Sequence, residues 1–303
     1  MASHSEEQQL RAKRDAIERK VDLRKRVCFV DGCGKYAINS HILQKNGIIN
    51  SISENNHVYQ LLADNFKEHY YCFKKKGINE AYTFKGFCGS DDHNHDSELF
   101  KNIEQNSINL NDYYSQLLFS YRSLVYKLRE REITKEIALE WYMNPELSIR
   151  MDRAMGRNWY TVESANIEMS IKDALVAKET VENEIHQNST GQGYFQFHKR
   201  VIPRIEICCS QCFNYELANE TTIAQVMGYE SLTIIFFNII PYQDQTVLLI
   251  GYPKDKASIC GKYFDSMLTM SEKDLKKRIS DLLLLFGDDW LCSPRIYLNY
   301  LRQ

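Results

Sequence analysis

Three cysteines and one polar, histidine-bearing tract carry the chemistry open to this chain. Cys28 and Cys33 stand in CFVDGC, separated by four residues on a turn that Gly32 and Gly34 ease. Cys88 stands in TFKGFCGSDDHNHD and is followed by His93 and His95. Thiolates and imidazoles are the donors a tetrahedral Zn2+ takes, and structural sites usually take them as two close pairs brought together by the fold. Cys28 and Cys33 make one pair, and Cys88 with a histidine makes the other. His93 gives the compact Cys-x4-His spacing, whereas His95 needs a six-residue excursion that the polar GSDDHN supplies. A lone cysteine is usually a core residue. Two linked pairs in one loop-rich stretch point instead to structural zinc.

His41 and Asp96 would be superfluous in a purely structural knuckle. A histidine soon after the first pair, in NSHILQK, and a carboxylate directly after the second resemble the HNH (ββα-metal) nucleases. In that family a histidine ending the first strand is the general base. A His or Asn opening the helix holds a divalent cation, and a middle Asn orients the base. Ser40-His41-Ile42 matches the first piece, which implies His41 as the base that deprotonates water. Asp96 matches the metal-holding position, where hard Mg2+ or Mn2+ accepts a carboxylate. Thr83, five residues before Cys88, falls where the orienting Asn stands. Ser40 departs from the Asp that often supplies a second metal ligand, and Thr83 departs from Asn.

The tract also resembles an FCxxHDxxLFxxIE pattern of bacterial proteins that carry this zinc module, which favours His95 over His93 as the fourth zinc ligand. A second match makes His93 the zinc ligand and Asn94 the metal ligand. The resemblance covers about residues 28–104. It implies an endonuclease that hydrolyses phosphodiesters of DNA or RNA by a one-metal mechanism, with His41 activating water. Ser40 and Thr83 favour a competing reading, a non-catalytic zinc module that binds nucleic acid or a protein partner.

The elements that must position these residues are unevenly marked. Residues 5–27 read as a polar helix whose basic end (Arg24, Lys25, Arg26) is either solvated or an arm on a phosphate backbone. From 28 to about 100 the pattern is irregular, with turn signals at Asp31-Gly32 and Gly86 and β-like pieces at Val58-Tyr59 and Tyr82–Phe84. Metal-stabilised modules look like this because the ion replaces part of a core. Lys74, Lys75 and Lys76 form a basic run in this stretch, read as a loop able to meet a phosphate backbone. Leu110–Trp141 shows helical periodicity, with Tyr113, Leu117, Tyr121, Leu124, Val125 and Leu128 on one face and Pro145 as its limit. A second helix is expected over about 166–185, with Ile167, Ile171, Leu175 and Val181 inward.

NSTGQG, residues 188–193, is a Gly/Ser-type linker and the expected domain boundary. Beyond it Val201–Cys209 and Leu232–Ile240 are β-rich, and Gln245–Tyr252 pairs with the second as a hairpin buried on both faces. Ser271 opens a helix with Asp274 in a capping box, Leu275, Ile279, Leu282, Leu283 and Phe286 inward, and Gly287 at its end. The expected class is α+β: a charged helix (1–27), an HNH-like zinc module (28–104), a helical region (105–187), the linker (188–193) and an α+β domain (194–303) that senses or docks a protein partner. Such an architecture suits bacterial defence by analogy.

Composition bounds these readings. A net charge of -2 leaves no global basic field to draw in nucleic acid, so any such contact is local. No segment approaches the roughly eighteen apolar residues a membrane span needs, and the charged N-terminal sequence is unlike a signal peptide. Nine cysteines, an odd number, do not form a disulfide framework, which favours a cytoplasmic home. Cys208, Cys209 and Cys212 read as buried strand cysteines, and Cys72 as a core residue.

Overall fold

A seven-stranded antiparallel sheet runs through the middle of the computed structural model, in the order β3-β2-β9-β6-β7-β8-β5. Its strands are β2 (His57–Ala63), β3 (Tyr71–Gly77), β5 (Phe195–Pro203), β6 (Ile207–Asn214), β7 (Ile234–Tyr242), β8 (Gln245–Pro253) and β9 (Trp290–Cys292). The structure describes residues 4–63, 71–89, 94–104, 108–187, 193–215, 231–285 and 289–301.

Successive side chains of a strand point to opposite faces, and both faces here are covered. Cys208, Cys212, Ile234, Phe236, Ile240 and Leu249 join one apolar cluster, whereas Cys209, Ile235, Phe237, Ile239, Leu248 and Ile250 join the other. The continuous apolar runs arise from this double burial, and the expected β7–β8 hairpin is present. The expected run Val201–Cys209 is split between β5 and β6, because the chain leaves β5 at Pro203 and re-enters pairing at Ile207.

Helices α3 (Tyr113–Met143) and α5 (Trp159–His186) cover the first face. The six predicted inward residues of α3 are all buried, and so are Leu118, Phe119, Ser120, Arg122 and Ser123, so the first half of this helix is enclosed on all sides, whereas Leu139, Tyr142 and Met143 near its end are exposed. Asn144 ends α3 and caps α4 (Pro145–Met155), accepting from the Leu147 N–H, with Pro145 at the position where a missing N–H costs nothing. On α5, Ile167 and Val181 are buried as expected, but Leu175 is exposed and Ala174 and Lys178 take the inward position. Helices α6 (Ala257–Thr269) and α7 (Glu272–Leu285) cover the second face. Ser271 caps α7: the Asp274 N–H donates to its hydroxyl at 3.2 Å. Phe286 and Gly287 lie outside the described residues.

Helix α1 (His4–Asp22) ends earlier than its charge pattern suggests. Arg24 and Arg26, expected on solvent or phosphate, instead pair with Glu136 of α3, and Arg24 also with Glu140. Lys74, Lys75 and Lys76 lie not in a loop but on β3, an edge strand of the sheet. Lysine on an edge discourages pairing with another chain. Residues 188–192 of the expected linker lie outside the described residues. The elements on its two sides share one sheet, because β2 of the first stretch pairs with β9.

The first face also carries a separate two-stranded sheet. Strand β1 (Asn39–His41) pairs with β4 (Thr83–Lys85), and a short helix, α2 (His95–Leu99), follows. Tyr82, next to β4, inserts into the large sheet. Its hydroxyl donates to Ser210 O at 2.9 Å and accepts from Ser210 N at 2.8 Å. Gln60 of β2 donates to both carboxylate oxygens of buried Asp289 at 2.9 Å and accepts from Tyr82 N at 3.3 Å.

Candidate metal centre

The four best-supported sequence ligands converge. The donor atoms of Cys28, Cys33, Cys88 and His95 all lie within 4.8 Å of one another. Cys28 and Cys33 sit on a knuckle closed by the Val27–Tyr36 bridge, with Cys28 N donating to Lys35 O at 2.8 Å and Cys33 N to Val30 O at 3.1 Å. Gly32 and Gly34 make the reversal with φ of 74° and 64°, a region a Cβ resists. Cys88 leaves β4, and His95 is the first residue of α2. Asp96 N donates to Cys88 O at 3.2 Å, holding the helix start against the strand exit.

Geometry fits a tetrahedral ion. Zn–S near 2.3 Å and Zn–N near 2.0–2.1 Å place two sulfurs about 3.8 Å apart and a sulfur and a nitrogen about 3.6 Å apart. Cys33 and Cys88 sulfurs are 3.7 Å apart, and His95 Nδ1 lies 3.6 Å from the Cys28 sulfur and 3.3 Å from that of Cys88. Burial pushes the Cys28 thiol up to about 11, against N–H groups of Val30 and Cys88. The Lys35 N–H lowers that of Cys33. A bound cation deprotonates such thiols outright, so the set could hold a metal ion such as zinc. His93 lies outside the described residues.

The knuckle is docked on α3 and α5. Arg129 of α3 donates to Val27 O at 2.7 Å and Lys85 O at 2.9 Å, and stacks over Phe29 at 4.1 Å. Lys178 of α5 reaches Asp31 at 3.4 Å and Glu182 at 2.7 Å.

His41 ends β1, half-buried. Its Nε2 lies 2.9 Å from Ile78 O. A carbonyl can only accept, so Nε2 carries the proton and the neutral ring keeps its lone pair on Nδ1. Burial lowers the His41 pKa below 6.5; the Ile78 bond opposes this, and the Lys45 and Arg122 charges add to the lowering. Thr83 stands opposite His41 in the two-stranded sheet, yet its hydroxyl donates to Glu80 O at 3.1 Å. The orienting contact the resemblance assigns to Thr83 is therefore made by the Ile78 carbonyl, which no side-chain motif could reveal.

Among the described residues, neither His41 nor Asp96 belongs to a second metal-type group of three. Asn94 is spent as the cap of α2, its Oδ1 accepting from Ser97 N at 3.1 Å. Asp96 Oδ1 and Ser40 Oγ are buried with no hydrogen-bond partner. These are the two positions where the resemblance puts metal ligands. Lys74 and Lys75 are exposed on β3.

No family model, no curated protein and no solved structure matches this chain.

Proposed function

We propose that this chain is a zinc-pinned, metal-dependent nuclease of HNH type that hydrolyses phosphodiester bonds of DNA or RNA. Zn2+ on Cys28, Cys33, Cys88 and His95 has a structural role, fixing the β1–β4 pair against α2. The observation that carries the reading is the His41 tautomer. The imidazole presents a free Nδ1 lone pair, is held by Ile78 O, and has a lowered pKa that keeps it neutral at pH 7. That is what a general base requires.

His41 Nδ1 takes a proton from water, the hydroxide oxygen attacks phosphorus, and the bond to the leaving oxygen breaks, that oxygen then taking up a proton. Mg2+ or Mn2+ bound at Asp96 would supply charge stabilisation on the phosphate and leaving oxygen. The unpartnered Asp96 oxygen supports a cation there, since buried polar atoms without partners are uncommon. The lysines of β3 are nucleic-acid contacts on this reading. Residues 194–303 dock or sense a protein partner, and nine cysteines outside any disulfide suit the cytoplasm. Thr83, committed to Glu80 O, favours a second reading: a non-catalytic zinc module binding nucleic acid or protein.

The test is cleavage of plasmid DNA and of RNA with Mg2+ or Mn2+. His41→Ala should lose roughly 10²–10⁴-fold in rate with zinc content and circular dichroism unchanged. Asp96→Ala should lose cleavage while keeping zinc. Undiminished cleavage by His41→Ala would refute His41 as the base and with it the HNH-type reading, and zinc without any wild-type cleavage would leave the binding module.

A further inference from the structure

The turn that orients His41 also holds a cation. Ile78 O accepts from His41, and the next residue, Asn79, accepts from Lys45 Nζ through Oδ1 at 3.3 Å. The imidazole and the ammonium thus bond adjacent residues of one turn, and the Lys45 charge acts on His41. Lys45 opens the short helical turn Lys45–Ile49 and is half-buried.

The charged groups around His41 are Lys45, Arg122 and Glu104. Arg122 is paired with Glu104. Lys45 has no carboxylate within ion-pair distance among the described residues, and the bond that positions it goes to a neutral amide. An ammonium has three donors, of which Asn79 uses one. The Asn79 amide nitrogen, whose oxygen is already engaged, offers two more.

We propose that Lys45 and Asn79 form a phosphate seat beside His41, binding a backbone phosphodiester of the nucleic acid. This rests on the nuclease reading for its purpose. Its chemistry is independent of it: an uncompensated cation and an amide donor side by side fit a singly charged tetrahedral anion. DNA and RNA share that group.

The test uses the full chain without added divalent ion, with a fluorescein-labelled 20-base-pair DNA duplex and a single-stranded RNA, and binding read by anisotropy from 50 to 200 mM NaCl. Each phosphate contact adds about 0.9 to the slope of log affinity against log salt for duplex DNA, or about 0.7 for a single strand. Lys45→Met should remove one such increment, so its deficit against wild type should narrow about threefold across that salt range. Lys45→Arg should restore the slope, and the probe that responds identifies the nucleic acid. An unchanged slope in Lys45→Met, or no salt-dependent binding of either probe by wild type, overturns the seat. His41→Ala is assayed for cleavage in parallel. If it cleaves as fast as wild type while Lys45→Met loses its increment, His41 is not the base, the HNH-type reading fails and the seat stands. If it is inactive while the slope is unchanged, the seat fails alone.

Discussion

Replacing Cys88 with alanine should detach the two halves of the metal centre. Cys88 is the link between the knuckle and α2: its sulfur is 3.7 Å from Cys33 and 3.3 Å from His95. An ion joining Cys33 to Cys88 closes a 55-residue span of chain. The chain-entropy relation for a cross-link of that span gives about 4 kcal/mol. Loss of the buried sulfur adds about 1 kcal/mol of transfer free energy. Unfolding entropy near 2.1 cal/mol/K per residue makes 5 kcal/mol worth roughly 8 °C in a chain of this length unfolding as one unit.

The assay is elemental analysis of purified protein beside differential scanning calorimetry. Cys212→Ala is the control, because Cys212 is a buried strand cysteine outside the metal group. It should keep one zinc per chain and lose only the ~1 kcal/mol transfer share, or under about 2 °C. Cys88→Ala should lose both the zinc and the larger increment. Equal melting shifts in the two variants, with zinc retained in both, would refute the cross-link. A wild-type protein without zinc would refute the centre itself.

The remaining predictions concern His41 and Tyr82. His41 has a folded pKa below 6.5, with burial as the main cause. The acid limb of log(kcat/KM) should therefore bend below pH 6.5 and be flat at pH 7. In Lys45→Met a repelling charge is gone, so the bend should move to higher pH; a bend that stays in place would separate Lys45 from the base. The same depression makes stability fall as pH drops through 6.5, since the unfolded chain then binds the proton first. Tyr82→Phe leaves the buried Ser210 N–H and C=O without the hydroxyl between them, which should cost about 2–4 kcal/mol in urea unfolding. A loss under about 0.5 kcal/mol, the range of an ordinary surface change, would show that the Tyr82 insertion carries no weight.

What the sequence makes legible depends on whether the signal is local. The Cys28–Cys33 knuckle, the α3 stripe and the doubly buried β7–β8 hairpin all follow from spacing within a few turns of chain. His95 was separable from His93 by pattern, and the structure places His95 among the sulfurs. The pairing of β2 with β9 joins residues more than two hundred positions apart, and β9 is three residues long. Nothing in His57–Ala63 marks it as an interior strand with β3 as its edge partner, so the lysines of β3 were read as a loop. Leu175 is apolar and falls near the inward phase, yet α5 turns Ala174 and Lys178 to the core and leaves Leu175 exposed. Arg24 and Arg26 looked free because their partners stand on α3, more than a hundred residues away.

The position of His41 follows from how the two-stranded sheet is fastened. Three-residue strands do not hold such a sheet together in water, so β1 and β4 need support at both ends. At one end Ile38 N donates to Phe87 O at 2.8 Å, next to the Cys88 ligand, with the knuckle gripped by Arg129 and Lys178. At the other, Ile42 N donates to Tyr82 O at 2.9 Å, and Tyr82 is anchored in the large sheet through Ser210 and Gln60. His41 lies between these fastenings. A base must be held within about 0.5 Å of its working position by groups that are themselves fixed. An ion on the four donors at one end and the large sheet at the other would supply that support where the strands alone are too short to do so. Losing either should therefore loosen His41 before it unfolds the chain, and on the nuclease proposal the metal-free protein should lose cleavage at temperatures where the large sheet is still intact.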